Sequence, residues 1–132
     1  REKILRYFRA DGDERVIFTG FVDGQLREEL YSNAYLFVLP SDLEGMPLCL
    51  LEAMSYGNCV ITSDIEECCN VIHDNGIVFR KGDVDDLAQK LTYALSHPNT
   101  VRMFKWLAAE YVCTRFPWER IVEETLTLYE KK

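Results

Sequence analysis

The sequence predicts an α/β fold with a mainly parallel sheet and flanking helices. Short apolar runs at residues 34–39, 59–62 and 77–79 read as strands, the first two covered on both faces as parallel strands are. Segments of helical periodicity separate them, and the connections are short. A chain of 132 residues, 48% apolar and 12% aromatic, is enough for one packed domain, so residues 1–132 are taken as a single unit.

Taken in order, Ile4, Leu5 and Phe8 share a helical face and predict a helix over 1–9, which the turn cluster at 11–14 ends. Residues 15–19, RVIFT, read as a strand, after which Gly20 lets the backbone turn. Leu26, Leu30 and Tyr31 stand at helical spacing over 23–33, with Asp23 as N-cap. The strand at 34–39 closes at Pro40 and Ser41. Pro47 suits the first position of a central helix, and Gly57 its left-handed stop. After the strand at 59–62, residues 65–70 are expected to be irregular and 71–72 short, extended or helical. Asp83 caps a helix over 84–96 with Leu87, Leu91 and Leu95 on one face. The His-Pro-Asn at 97–99 breaks it. A helix over 100–115 buries Val101, Phe104, Leu107, Ala108, Tyr111 and Val112. Residues 116–118 form a corner with Trp118 as an aromatic plug, and a terminal helix runs over 119–131.

Composition narrows the function. Net charge is −7, and the basic residues are interleaved with acids, which argues against nucleic acid or an anionic membrane as partner. No apolar run approaches the roughly 20 residues of a membrane helix. Cys49, Cys59, Cys68, Cys69 and Cys113 show no paired-ligand spacing, so no metal is expected. They read as structural thiols of a reduced, cytoplasmic protein. The chain begins at Arg1, no signal peptide is expected, and it is taken to be a fragment.

Chemistry concentrates in 35–64. Glu52 lies on an otherwise apolar helix, where an unpaired carboxylate is costly, so it should sit at a crevice or be hydrogen-bonded. Its two oxygens suit the vicinal diol of a ribose. The first-turn amides around Met46, Pro47, Leu48 and Cys49, with the positive end of the helix dipole, suit a diphosphate. Gly45 permits close approach of the backbone, and Glu44 lies just beyond, within reach of hydroxyls. Ribose, diphosphate and a hydroxyl-rich group in line describe a nucleotide sugar. Spacing alone favours the plainer reading, in which Glu44 is a solvated loop residue and Glu52 a helix-surface one. Ligands of parallel sheets bind beyond the carboxyl ends of the strands, which gathers 20–22, 40–47 and 62–67 around one crevice.

The string PSDLEGMPLCLLEAMSYGNCVITSDI resembles the signature of the retaining, nucleotide-sugar-dependent glycosyltransferases of family 4. The carrying residues are Pro40, Ser41, Glu44, Gly45, Pro47, Leu48, Glu52, Ala53, Met54 and Gly57. Further matches lie at 16–22, 30–34, 75–79, 82–83 and 116–119. The resemblance implies the C-terminal half of a GT-B fold, Rossmann-like, lacking its first two strands. It implies that Glu52 holds the donor ribose and that the helix start at Met46, Pro47, Leu48 and Cys49, through the free N–H groups of its non-proline residues, meets the diphosphate or sugar. Glu44 is then the catalytic carboxylate, orienting the donor sugar near the reacting carbon, and Phe21 and Val22 lie against the base. Such enzymes generally need no metal cofactor.

The resemblance also implies missing parts: a Gly-Arg pair and a Lys that bind the diphosphate, and an N-terminal acceptor domain. In strand order 3-2-1-4-5-6, loss of strands 1 and 2 isolates 16–19, which leaves a gap, a re-pairing, or strand exchange with another chain. Residues 65–70 depart from the family pattern, and His73 is expected to be solvent-exposed rather than catalytic. The alternative readings are a catalytically silent nucleotide-sugar-binding or scaffold domain and, fitting less well, a sugar-nucleotide epimerase of the same fold. Base, sugar and acceptor are not specified by these residues.

Overall fold

The computed structural model describes residues 15–130. The helix expected at 1–9 and the turn at 11–14 lie outside them. Among the described residues the order is α1 (Gly24–Asn33), β1 (Leu36–Leu39), α2 (Leu48–Ser55), β2 (Cys59–Ser63), α3 (Glu66–Ile72), β3 (Ile77–Phe79), α4 (Val84–Ser96), α5 (Pro98–Arg115) and α6 (Trp118–Glu130). The three strands form one parallel sheet in the order β1-β2-β3. Leu36 pairs with Cys59 and Leu39 with Thr62, while Ile61 pairs with Ile77 and Ser63 with Phe79.

β2 is buried from end to end, and its alternating side chains feed two cores. Val60 enters one face with Leu50, Met54, Cys68, Ile72 and Ala108. Cys59 and Ile61 enter the other with Ile77, Phe79, Ala94 and Val101. Helix α5 serves both, through Val101 in one and Ala108 and Val112 in the other. It passes beneath the amino ends of the strands, where Lys105 Nζ donates to Ala34 O (2.6 Å), just ahead of β1. The carboxyl ends face the loops that hold the candidate site residues.

Local signals explain most boundaries. Gly57, at φ 72°, ends α2 in a Schellman arrangement: Gly57 N donates to Met54 O (2.9 Å) and Asn58 N to Ala53 O (3.0 Å). The Asn58 side chain, buried, donates to Ala53 O (3.0 Å) and to Tyr31 O (2.8 Å), tying the ends of α1 and α2 together. Asp83 caps α4 by accepting from Asp86 N (2.9 Å). Asp23 occupies the N-cap of α1 in extended geometry, without a side-chain bond.

Several expectations are corrected. Residues 15–19 are exposed and form no strand, because no strand lies beside them among the described residues and a strand's backbone is satisfied by its neighbour. β1 is half-buried throughout rather than covered on both faces, since among the described residues it pairs on one side only. Residues 65–70 are not irregular. Ile65 is the extended residue that opens α3, Glu66 and Glu67 meet its positive end, and Cys68, Val71 and Ile72 form a buried stripe at i, i+3, i+4. In α4 the third inward residue is Ala94 rather than Leu95, which is exposed; seven residues after Leu87 return closer to the same face than eight. Trp118 is no plug: it is 75% exposed, and Phe116 instead packs edge-on against Tyr111. Every residue of α6 is exposed. His73 is exposed, as expected, and has a positive φ of 45°. No helix among the described residues is long and apolar enough to cross a membrane.

Gly76 yields a test of the packing. A Cβ there would sit 2.7 Å from Val60 Cγ2 and 3.2 Å from Val60 O, at the centre of the sheet. Gly76→Ala should therefore lower stability by about 1–3 kcal/mol, read as a shifted denaturant midpoint with an unchanged slope.

Candidate nucleotide-sugar site

β1 and β2 end side by side, and the loop from Pro40 to Pro47 leads from β1 into α2. Two hydroxyls of β2 hold the end of β1 and the start of this loop. Thr62 Oγ1 donates to Leu39 O (3.2 Å), and Ser63 Oγ donates to Ser41 O (2.5 Å). Ser41 Oγ in turn donates to Glu44 Oε1 (2.5 Å). Glu44 is thus half-buried and anchored through one oxygen, with no hydrogen bond or ion pair to Oε2 among the described residues.

The start of α2 is open. Pro47 is buried immediately before the helix, one position earlier than expected. Leu50 N and Leu51 N donate to Pro47 O (3.0 and 3.3 Å), and Leu48 N folds back to Met46 O (2.8 Å). The amides of Gly45, Met46 and Cys49 are left without a carbonyl partner among the described residues. Gly45 has no positive φ, and a Cβ on it would meet nothing within 4 Å. Neither backbone conformation nor packing among the described residues requires glycine at that position.

Glu52 lies about one turn into α2 and faces α1. Tyr31 OH donates to Oε2 (3.4 Å), and Arg27 Nη1 stands 3.7 Å from Oε1. Both contacts are long and the carboxylate side chain is 43% exposed, so lone pairs remain for a ligand. Burial, then the charge of Glu52, raises the Tyr31 phenol above its ordinary range and keeps it a donor. Tyr31 also stacks on Tyr56 and tilts against Phe37, which fixes its ring.

Cys49 sits between the carboxylates. Its thiol is pushed up by burial first and then by Glu44, with a smaller contribution from Glu52. Cys68 is raised by burial and lies within hydrogen-bonding reach of the Thr62 side chain. All five cysteines are unpaired, and no group of three or more metal-ligating side chains forms among the described residues. On the far side of the crevice, Asp64 accepts from Lys81 N (2.7 Å) and Asp86 from Arg80 N (2.7 Å), which pins the loop after β3.

The structure therefore brings Glu44, Gly45, Met46, Pro47, Leu48, Cys49 and Glu52 together around one helix start. Phe21 and Val22 stand apart: Phe21 is 91% exposed, and neither residue has a hydrogen bond to that cluster. The sequence reading missed Ser41, Ser63, Tyr31 and Arg27 as residues that touch or brace the carboxylates. For Ser41 a signal was present, because a serine three residues before a glutamate is spaced for a local bond.

The parallel sheet and its flanking helices match part of GT-B glycosyltransferase structures. The family model described as glycosyl transferases group 1 matches residues 1–97, and the chain belongs to that family. It is 30% identical over 115 residues to O-antigen chain mannosyltransferase B of Escherichia coli, covering 86% of this chain and 29% of that protein. It is 33% identical over 117 residues to alpha-maltose-1-phosphate synthase of Mycobacterium tuberculosis, covering 82% of this chain and 30% of that one. Among solved structures, sucrose-phosphate synthase from Thermosynechococcus elongatus superposes with a TM-score of 0.89 at 27% identity, over 98% of this chain and 33% of that chain. The chain spans about a third or less of the length of these relatives.

The thiols give a pH prediction. Burial pushes Cys59 from 9.0 up to about 11. A raised thiol favours the fold fully below the unfolded value, and that contribution is lost as pH rises through the folded one. Stability should fall between pH 9 and about 11, less so in Cys59→Ala relative to its own value at pH 8. Under native conditions iodoacetamide should label exposed Cys113 first and Cys59 last, read by mass spectrometry.

Proposed function

We propose that this chain is the donor-binding part of a retaining glycosyltransferase. The full protein moves a hexose from a UDP-, GDP- or ADP-linked donor to an acceptor such as a growing glycan, a lipid or a polysaccharide. The observation that carries the reading is the open start of α2, with a carboxylate on each side of it and a glycine that its own backbone does not need.

In this reading Glu52 accepts from the ribose diol, with Tyr31 and Arg27 setting its orientation from α1. The amides of Gly45, Met46 and Cys49 meet the diphosphate at the positive end of the helix. Glu44 accepts a hydroxyl of the donor sugar and offsets positive charge that develops at the anomeric carbon as the diphosphate leaves. Phe21 and Val22 come against the base. The helix dipole and cationic side chains elsewhere in the full protein neutralise the leaving diphosphate, without a metal. Residues 1–132 then form one partial donor domain with 119–131 as its terminal helix, and acceptor choice resides in a separate N-terminal domain. The unpaired cysteines support a cytoplasmic setting.

The roles of the two glutamates separate experimentally. Glu52→Ala in the intact protein should weaken nucleoside diphosphate binding by about ten- to a hundredfold by isothermal titration, the range expected for hydrogen bonds to a charged group. Glu44→Gln should lower kcat by roughly a hundredfold and leave that binding nearly intact. Unchanged nucleotide affinity in Glu52→Ala would rule out the ribose assignment.

A further inference from the structure

We infer that Ser41 is a positioning residue for Glu44, and that Ser63 holds Ser41 in place for it. The inference rests on the proposed role of Glu44 at the donor sugar.

A glutamate on a loop has three side-chain torsions to fix, and a carboxylate free to swing is a poor partner for one hydroxyl. Here the fixing group is Ser41, whose hydroxyl donates to Glu44 Oε1 at 2.5 Å. That distance belongs to the short, charge-assisted class of hydrogen bond. It occupies one oxygen and leaves Oε2 without a partner among the described residues. One oxygen is held by the protein, and the other remains to accept from a ligand.

Ser41 is itself fixed. It lies beyond Leu39, the last residue of β1, where ladder pairing has stopped. Ser63 ends β2, is 1% exposed, and donates its hydroxyl to Ser41 O at 2.5 Å. A buried hydroxyl on a central strand is costly unless it is paired, and its partner here is the residue that carries the contact to Glu44. The chain of contacts runs from the rigid end of β2 through the end of β1 to the carboxylate. It makes the position of Glu44 a property of the sheet rather than of the loop. Thr62, the preceding residue, supports the same junction through Leu39 O.

The test uses Ser41→Ala, Ser41→Thr, Ser63→Ala and Glu44→Gln in the intact protein. Transfer and hydrolysis are followed with GDP-mannose, UDP-glucose and ADP-glucose, and binding is titrated with GDP, UDP and ADP. Ser41→Ala should lower kcat by roughly tenfold or more while nucleoside diphosphate affinity and melting temperature stay near the parent's. Ser41→Thr, which keeps the hydroxyl, should recover most of the loss, and Ser63→Ala should show a smaller loss of the same kind. A crippled Glu44→Gln beside a fully active Ser41→Ala would overturn the positioning role and leave that of Glu44 standing. A Ser41→Ala that weakens diphosphate binding as much as it slows turnover would overturn it too, since the loop would then serve structure alone. Full activity in Glu44→Gln would remove the role of Glu44 and this inference with it.

Discussion

The fold depends on the burial of β2. All five of its residues are inside, and they present apolar groups to both faces, so helices must cover the sheet on two sides. Parallel strands cannot be joined by tight turns, and each crossover needs a helix. That requirement sends α2 from the end of β1 back to the start of β2, and α3 from the end of β2 back to the start of β3. Every loop leaving the carboxyl end of a strand then falls on one side of the molecule, opposite Lys105 and α5. The candidate site follows from this geometry, since one carboxylate precedes and the other lies within the first helix that the sheet makes necessary.

Polar residues at the strand ends adapt that geometry to chemistry. Thr62 makes the last ladder pair with β1 and Ser63 continues β2 one residue beyond it, and their hydroxyls find the backbone of Leu39 and Ser41. Asn58 acts in the same way at the opposite end of the strand, joining the carbonyl of Tyr31 to that of Ala53. Since Tyr31 belongs to the helix that braces Glu52, and Ala53 follows Glu52 directly, this amide fixes the two helices that meet at the carboxylate. Buried polar side chains here set angles between elements, a task that apolar packing specifies less sharply.

Features with local causes were legible in the sequence. The apolar run of β2, the left-handed Gly57 and the capping Asp83 each announce themselves within a few residues, and each is found where expected. Features that depend on distant neighbours were not. Residues 15–19 have strand composition, yet a strand is a property of a pair. Trp118 has the size of a core residue but no core reaches it. α3 was missed because its inward residues, Cys68, Val71 and Ile72, follow two glutamates that mask the helical period in so short a segment. The site divides in the same manner. Glu44, Gly45 and Glu52 stand out from their spacing and from the family resemblance, whereas Tyr31 and Arg27 reach Glu52 from 21 and 25 positions away and appear only once the helices are packed.

The double allegiance of α5 governs how this domain comes apart. Val101 belongs to the core on one side of the sheet, and Ala108 and Val112 to the core on the other. Loosening either layer should displace a helix that the opposite layer packs against. Unfolding is then expected to be coupled across the sheet, with the amides of the fully buried β2 among the last to exchange with solvent.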